Sequence, residues 1–318
     1  MIDLALPIIA VLFGFIVLMK SADLLVDNAV ELALRLGIST FLVGVIIIGF
    51  GTSAPEMFVS AMAAMEGKGN LAVGNALGSN VTNIGLVLGL AAFINRISVS
   101  SETAVADIPI LIITGILGAY FILDGELTAL DGAILLFVLG GYLYWSGQNG
   151  KTTVSEEEIN KHIHSDRSMS ALISLLLVSI FLLLVASRIL VFGAVSIAEF
   201  FGVSDLIIGL TVVAVGTSLP ELAAAIAAAR KNVHDMIIGN IIGSNVFNIL
   251  AVLGITGVIQ STAVETEVIW RDFPVMLGMT FIMLLIALFR KGFGRVEGLL
   301  LLAMYIGYIS YLIVSATA

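Results

Sequence analysis

The sequence contains no cysteine, which excludes disulfides and thiol chemistry. Charge is scarce as well. Only 12% of residues are Asp, Glu, Lys or Arg, about half the share usual in a soluble domain. A chain that is 59% hydrophobic, with a mean hydropathy of +1.14, has too few polar groups to cover a surface facing water. No Gly-rich P-loop is present, so nothing signals ATP use. The N-terminus lacks the basic flank and cleavage site of a signal peptide, so residues 1–20 read as part of a first spanning helix. Long polar stretches are missing too, apart from Ser146 to Ser170.

What is present instead is a series of apolar runs, each close to the about 20 residues that a spanning helix needs. Ten are expected, over 4–22, 41–65, 70–94, 105–123, 127–146, 171–194, 206–229, 236–259, 270–289 and 296–315. Of the 14 Lys and Arg residues, all but Lys68, Arg188 and Arg271 fall on the side reached after odd-numbered helices. That bias places the side in the cytoplasm and both termini outside it.

The two halves repeat. A shift of 165 residues lays Gly51-Thr52-Ser53-Ala54-Pro55-Glu56 on Gly216-Thr217-Ser218-Leu219-Pro220-Glu221. The same shift lays Gly74-Asn75-Ala76-Leu77-Gly78-Ser79-Asn80 on Gly239-Asn240-Ile241-Ile242-Gly243-Ser244-Asn245. Between 70–89 and 235–254, 11 of 20 positions are identical, most of them Gly, Asn and Ser rather than interchangeable apolar residues. Five helices per half is odd, so the second copy enters the bilayer from the opposite side. The expected fold is therefore an all-α membrane protein of ten transmembrane helices in two inverted five-helix repeats. Residues 1–146 form the first repeat, with motif block 49–84, and residues 171–318 the second, with motif block 214–249. Residues 147–170 form a cytoplasmic linker, and its Glu156-Glu157-Glu158 run and His162 and His164 read as a solvated loop.

Glu56 and Glu221 are the carboxylates expected deep inside spanning helices, where a charge costs at least about 2.5–3.5 kcal/mol. Two close carboxylates repel unless a cation or a proton lies between them. Pro55 and Pro220 each remove a backbone donor and crowd the carbonyl four residues earlier, which predicts breaks in helices 2 and 7. Carbonyls freed at Gly51, Thr52, Gly216 and Thr217 then need partners, as do the hydroxyls of Thr52, Ser53, Thr217 and Ser218. Asn75, Ser79 and Asn83 recur at i, i+4 and i+8, so they form one polar stripe, which Asn240, Ser244 and Asn248 repeat. The spacing of Gly74 with Gly78 and of Gly239 with Gly243 predicts close helix packing. Every candidate ligand is an oxygen, a set that suits hard cations such as calcium or sodium rather than zinc or copper. One cavity of this kind holds calcium or several sodium ions, but not both loads.

These paired blocks resemble the α-repeats of the calcium/cation antiporter superfamily, and among its members the prokaryotic sodium/calcium exchangers. The resemblance spans the chain. It implies an antiporter, not an enzyme, with no cofactor beyond the transported Ca2+ and Na+. It implies Glu56 and Glu221 as ligands shared by both ions, with backbone carbonyls of Thr52 and Thr217 on calcium. It implies sodium sites at Ser53, Ser79, Ser218 and Ser244, with Asn83 and Asn248 lining the centre. Many relatives carry Asp where Asn248 stands, a departure that leaves one acidic group fewer. Implied partners are the two ions and the lipid bilayer of a prokaryotic inner or cell membrane. Nucleic acid and ATP are not expected, and a monomer is the expected unit. Proton/calcium antiport, transport of another divalent ion, and a cation channel remain open on the motifs alone.

Overall fold

Hydrocarbon offers no partner to an amide, so apolar runs of this length satisfy their backbone by coiling into helices. The computed structural model describes residues 4–149, 167–203, 208, 212 and 214–317. In chain order the helices are α1 (Ala5–Leu36), α2 (Thr40–Met65), α3 (Gly69–Ile94), α4 (Thr103–Ile122), α5 (Ala129–Gln148) and α6 (Met169–Phe200). The shorter α7 (Leu219–Arg230) follows a one-turn piece, Ala214–Thr217. Then come α8 (His234–Ile259), α9 (Val268–Arg290) and α10 (Arg295–Ser315). Among the described residues nine helices, all but α7, are long and apolar enough to cross a bilayer. The protein is an all-α integral membrane protein, and Glu156-Glu157-Glu158, His162 and His164 lie outside the described residues.

Two helices outrun their expected ends. α1 and α6 each have 32 residues, because both continue past the apolar run. The extension of α1 carries Asp23, Asp27, Glu31 and Arg35, and it ends where Gly37 turns left-handed at φ 64°. Three of these charges, on Asp27, Glu31 and Arg35, are paired. Arg35 pairs with Glu31, and Lys231, just beyond α7, donates to Asp27 at 2.6 Å and to the Asp23 carbonyl at 2.8 Å.

The predicted breaks are realised differently in the two halves. α2 stays wound through Pro55, and a π-helical segment, Gly44–Gly49, lies upstream of it. In the second half the helix is interrupted at Ser218 (φ −91°, ψ 8°), and Pro220 stands in the first turn of α7, where its missing N–H costs nothing.

In lipid, helices associate through small residues that let backbones approach. A Cβ on Gly239 would lie 2.3 Å from the Phe41 carbonyl oxygen, and one on Gly243 would lie 2.5 Å from that of Val45, so α8 is pressed against α2. The counterparts of Phe41 and Val45, at 206 and 210, lie outside the described residues, so the packing expected of Gly74 and Gly78 has no described surface. α1 and α6 cross in the same manner, with Gly14 against Ala186 and Leu190.

Four two-residue strands close the helix ends: β1 (Ile97–Ser98), β2 (Glu126–Leu127), β3 (Thr262–Ala263) and β4 (Gly292–Phe293). β1 pairs antiparallel with β4, Ile97 opposite Phe293, and β2 with β3, Glu126 opposite Ala263. Each pair joins one half of the chain to the other. Between these ends α2, α3, α7 and α8 bring their polar faces inward, which gives the molecule a buried polar centre.

Candidate cation site

Among the described residues four carboxylates are almost fully buried: Glu31, Glu56, Glu221 and Asp272. Two of them have cations of their own. Glu31 pairs with Arg35 and has Arg167 at 3.8 Å. Asp272 is held by Arg271 at 2.6 Å and accepts from the Tyr308 hydroxyl at 2.8 Å. Sequence reasoning left Glu31 and Asp272 near helix ends; burial and pairing go together there, as charges in lipid require.

Glu56 and Glu221, 1% and 2% exposed, are different. Both oxygens of Glu56 and Oε2 of Glu221 lack any hydrogen-bond partner among the described residues. The two carboxylates are near enough for their charges to interact, although one is carried by α2 and the other by the first turn of α7. The Ser53 hydroxyl donates to Glu221 Oε1 at 3.4 Å and links the two motifs directly.

The remaining residues named from the sequence lie on α2, α3 and α8 or in the turn before α7. Thr52, Ser53, Ser79, Ser218, Ser244, Asn83 and Asn248 are buried, and Thr217 is half-buried at the end of its one-turn piece. The Thr52 hydroxyl turns back to the Ile48 carbonyl at 2.9 Å and reaches Asn240 Oδ1 at 3.5 Å. Ser244 Oγ lies 3.5 Å from the Gly49 carbonyl and 3.4 Å from Asn240 Oδ1, so Asn240 ties α8 to α2. Asn75 does similar work between α3 and α2, donating to Ser60 Oγ at 3.0 Å and to the Glu56 carbonyl at 3.4 Å.

Asn83 and Asn248 each open a π-helical segment, Asn83–Leu88 and Asn248–Val252, a local widening that is frequent at functional sites. Their Oδ1 atoms and Ser218 Oγ are buried without a partner among the described residues, as are the Nδ2 donors of Asn240 and Asn245. The unpaired oxygens include those of the two carboxylates and the two central amides, which accept but do not donate. Such a set is complemented by a hard cation, which takes several oxygens at once and balances the paired charge.

Some of the architecture gave no signal in the sequence. α6 runs beside both motifs, with Ile180 against Gly51 and Val191 against Gly216. Ser187 on α6 donates to the Gly216 carbonyl at 2.9 Å, and so supplies the partner that this carbonyl was expected to need. Asn80 and Asn245 lie between the stripes and bond to the amide nitrogens of Asn248 and Asn83.

A bundle of bilayer-length helices around a buried, donor-poor acidic centre defines a membrane transporter of cations. A family model described as sodium/calcium exchanger protein matches residues 6–148 and 171–314, and the chain belongs to that family, which consists of cation/Ca2+ antiporters and not of enzymes. It is similar to the putative antiporter CaxA of Alkalimonas amylolytica, 44% identical over 97% of this chain and 98% of that protein. It is also similar to the sodium/calcium exchanger MaX1 of Methanosarcina acetivorans, 28% identical over 94% of this chain and 96% of that one. Among solved structures it matches the sodium-calcium exchanger NCX_Mj soaked with 10 mM Na+ and 10 mM Sr2+. That match has a TM-score of 0.85 at 33% identity and covers 97% of this chain and 99% of the other.

Proposed function

We propose that the chain exchanges Na+ for Ca2+ by alternating access, with Glu56 and Glu221 as ligands that both ions share. The observation that carries the reading is the pair of buried glutamates, three of whose four carboxylate oxygens lack donors among the described residues. Emptied of cations, two adjacent carboxylates repel, and one divalent ion or several monovalent ions relieve them. The two loads need the same oxygens, so they exclude each other, and that exclusion couples the two fluxes. In this reading Thr52 and Thr217 offer carbonyls to calcium, Ser53, Ser79, Ser218 and Ser244 serve sodium, and Asn83 and Asn248 line the centre. MaX1 and NCX_Mj are sodium/calcium exchangers, which supports sodium as the counter-ion. Three sodium ions for each calcium make the cycle electrogenic.

The proposed frame is ten spans in two inverted halves, 1–146 and 171–318, joined by the 147–170 linker in the cytoplasm. Strand pairing supports the tenth crossing. Paired strands lie on the same side of the membrane, so an even number of crossings separates them. Between β1 and β4 the described spans are α4, α5, α6, α8 and α9, and between β2 and β3 they are α5, α6 and α8. Both sets are odd, and one further crossing, by the segment that ends in α7, makes both even. Shifting β1 by 165 residues lands on β3, and shifting β2 lands on 291–292, beside β4. The pair β1–β4 is thereby exchanged with β3–β2, as a two-fold axis in the membrane plane requires. In this reading the protein works as a monomer in a prokaryotic cell membrane, with both termini outside.

Calcium uptake into proteoliposomes tests the function. Vesicles loaded with sodium and diluted into sodium-free medium at fixed pH should accumulate calcium. Uptake that is equal without the sodium gradient, or that follows a proton gradient alone, refutes sodium exchange in favour of proton/calcium antiport.

A further inference from the structure

We infer that Asn80 and Asn245 are positioning residues: a crossed pair of amide hydrogen bonds between the two halves aims the oxygens of Asn83 and Asn248 at the cation site, an inference that rests on the antiport site proposed above.

An asparagine amide has an accepting end and a donating end of nearly equal size. A half-turn about its last torsion exchanges the two at little steric cost, because that torsion is broad and roughly two-fold. A cation needs the oxygen end; the nitrogen end repels it. Asn83 and Asn248 are each 1% exposed, so bulk water does not choose for them. Their orientation is set by what receives the nitrogen. Asn83 Nδ2 donates to Asn245 Oδ1 at 3.1 Å, and Asn248 Nδ2 donates to Asn80 Oδ1 at 3.0 Å. With both nitrogens committed, Oδ1 of Asn83 and Oδ1 of Asn248 are the ends left without a partner.

The arrangement is reciprocal. Asn80 sits three residues before Asn83 on α3 yet bonds the asparagine of α8. Asn245 sits three residues before Asn248 on α8 yet bonds the asparagine of α3. The two members are not equally secured. Asn80 is itself oriented, since its Nδ2 donates to the Asn245 carbonyl at 3.3 Å and lies 3.4 Å from Met276 Sδ. Asn245 Nδ2 has no acceptor among the described residues, and the repeat counterpart of Met276 is Leu111, which offers none. Asn248 is therefore the more firmly aimed of the two central amides, and Asn80 the more influential support.

Simple interhelical glue would use the same bonds, but its loss would lower stability without a preferential effect on the ion. A positioning role predicts an effect that passes through Asn248 and disappears when Asn248 has no amide. The test is a double-variant cycle on purified protein, read as calcium binding by calorimetry and, separately, as thermal midpoint. Orienting partners around a metal ligand are typically worth about 10–100-fold in affinity. Asn80→Ala should weaken calcium binding about tenfold, and in an Asn248→Ala background the same change should add less than about twofold. Asn245→Ala should show the same dependence on Asn83 with a smaller effect, and it supplies the test should Asn80→Ala fail to fold. Multiplying effects in both cycles, or unchanged affinity with a lowered thermal midpoint, overturns the positioning role. Wild-type protein that binds calcium but shows no sodium-driven uptake overturns the antiport reading and leaves the cycle interpretable. Wild-type protein that binds no calcium overturns both.

Discussion

The burial of Glu56 and Glu221 was legible from the sequence, because both carboxylates stand in apolar runs and recur in one repeated motif. Their neighbours were less so. The stripe of Asn75, Ser79 and Asn83 follows from a 3.6-residue period, and that period places Asn80 on the adjoining face, toward a partner helix that sequence spacing does not reveal. Nor does spacing separate ligand from glue. Asn75 binds Ser60 and Asn240 binds Thr52 and Ser244, whereas Asn83 and Asn248 keep a free oxygen. Removing one partner of a buried charge pair costs about 2–5 kcal/mol, so Glu56→Gln and Glu221→Gln should each weaken calcium binding by about 30-fold or more. Exchange in proteoliposomes should be lost while the proteins remain monodisperse by size exclusion. Retained exchange in both variants contradicts the assignment of these ligands.

Proline and glycine punctuate the helices, and the structure resolves the two roles differently. Pro55 and Pro220 occupy matching positions, yet α2 remains wound while the chain is interrupted at Ser218. Local chemistry predicts two breaks, and among the described residues only Ser218 shows one; π-helical segments also occur where no proline strains the helix, at Asn83–Leu88 and Asn248–Val252. Those segments recur at Thr103–Asp107 and Val268–Asp272, and no residue pattern marked them in advance. The Gly-x-x-x-Gly spacing was legible, and its partner was not. Gly243 meets the α2 backbone at Val45, with a Cβ-equivalent distance of 2.5 Å. Gly243→Val must therefore push α8 off α2. Overpacking of this kind costs about 1–3 kcal/mol, and a thermal shift assay should show a midpoint several degrees lower. An unchanged midpoint argues against tight α2–α8 packing in the membrane.

At the scale of the molecule, the proposed frame of two inverted halves would present the same site to either side of the bilayer, which is the geometric requirement for alternating access. The repeat was evident from an ungapped shift of 165 residues, while the strand pairs that tie the halves together were too short to stand out. The proposed orientation predicts that a reporter active only in the cytoplasm is silent when fused after Ala318 and active within 147–170; the reverse pattern inverts the topology. A three-for-one cycle moves one net charge, and each 100 mV then biases it by about 2.3 kcal/mol. A potassium/valinomycin potential, positive on the side where sodium exits, should therefore slow calcium uptake, and voltage-independent uptake indicates two-for-one exchange. In the proposed cycle sodium and calcium compete for one set of oxygens around Glu56 and Glu221. That competition is read by equilibrium binding of radiocalcium to purified protein across a sodium titration at constant ionic strength. Sodium should displace calcium completely and with a steep, greater-than-first-order dependence on sodium. Calcium that stays bound at saturating sodium would contradict it.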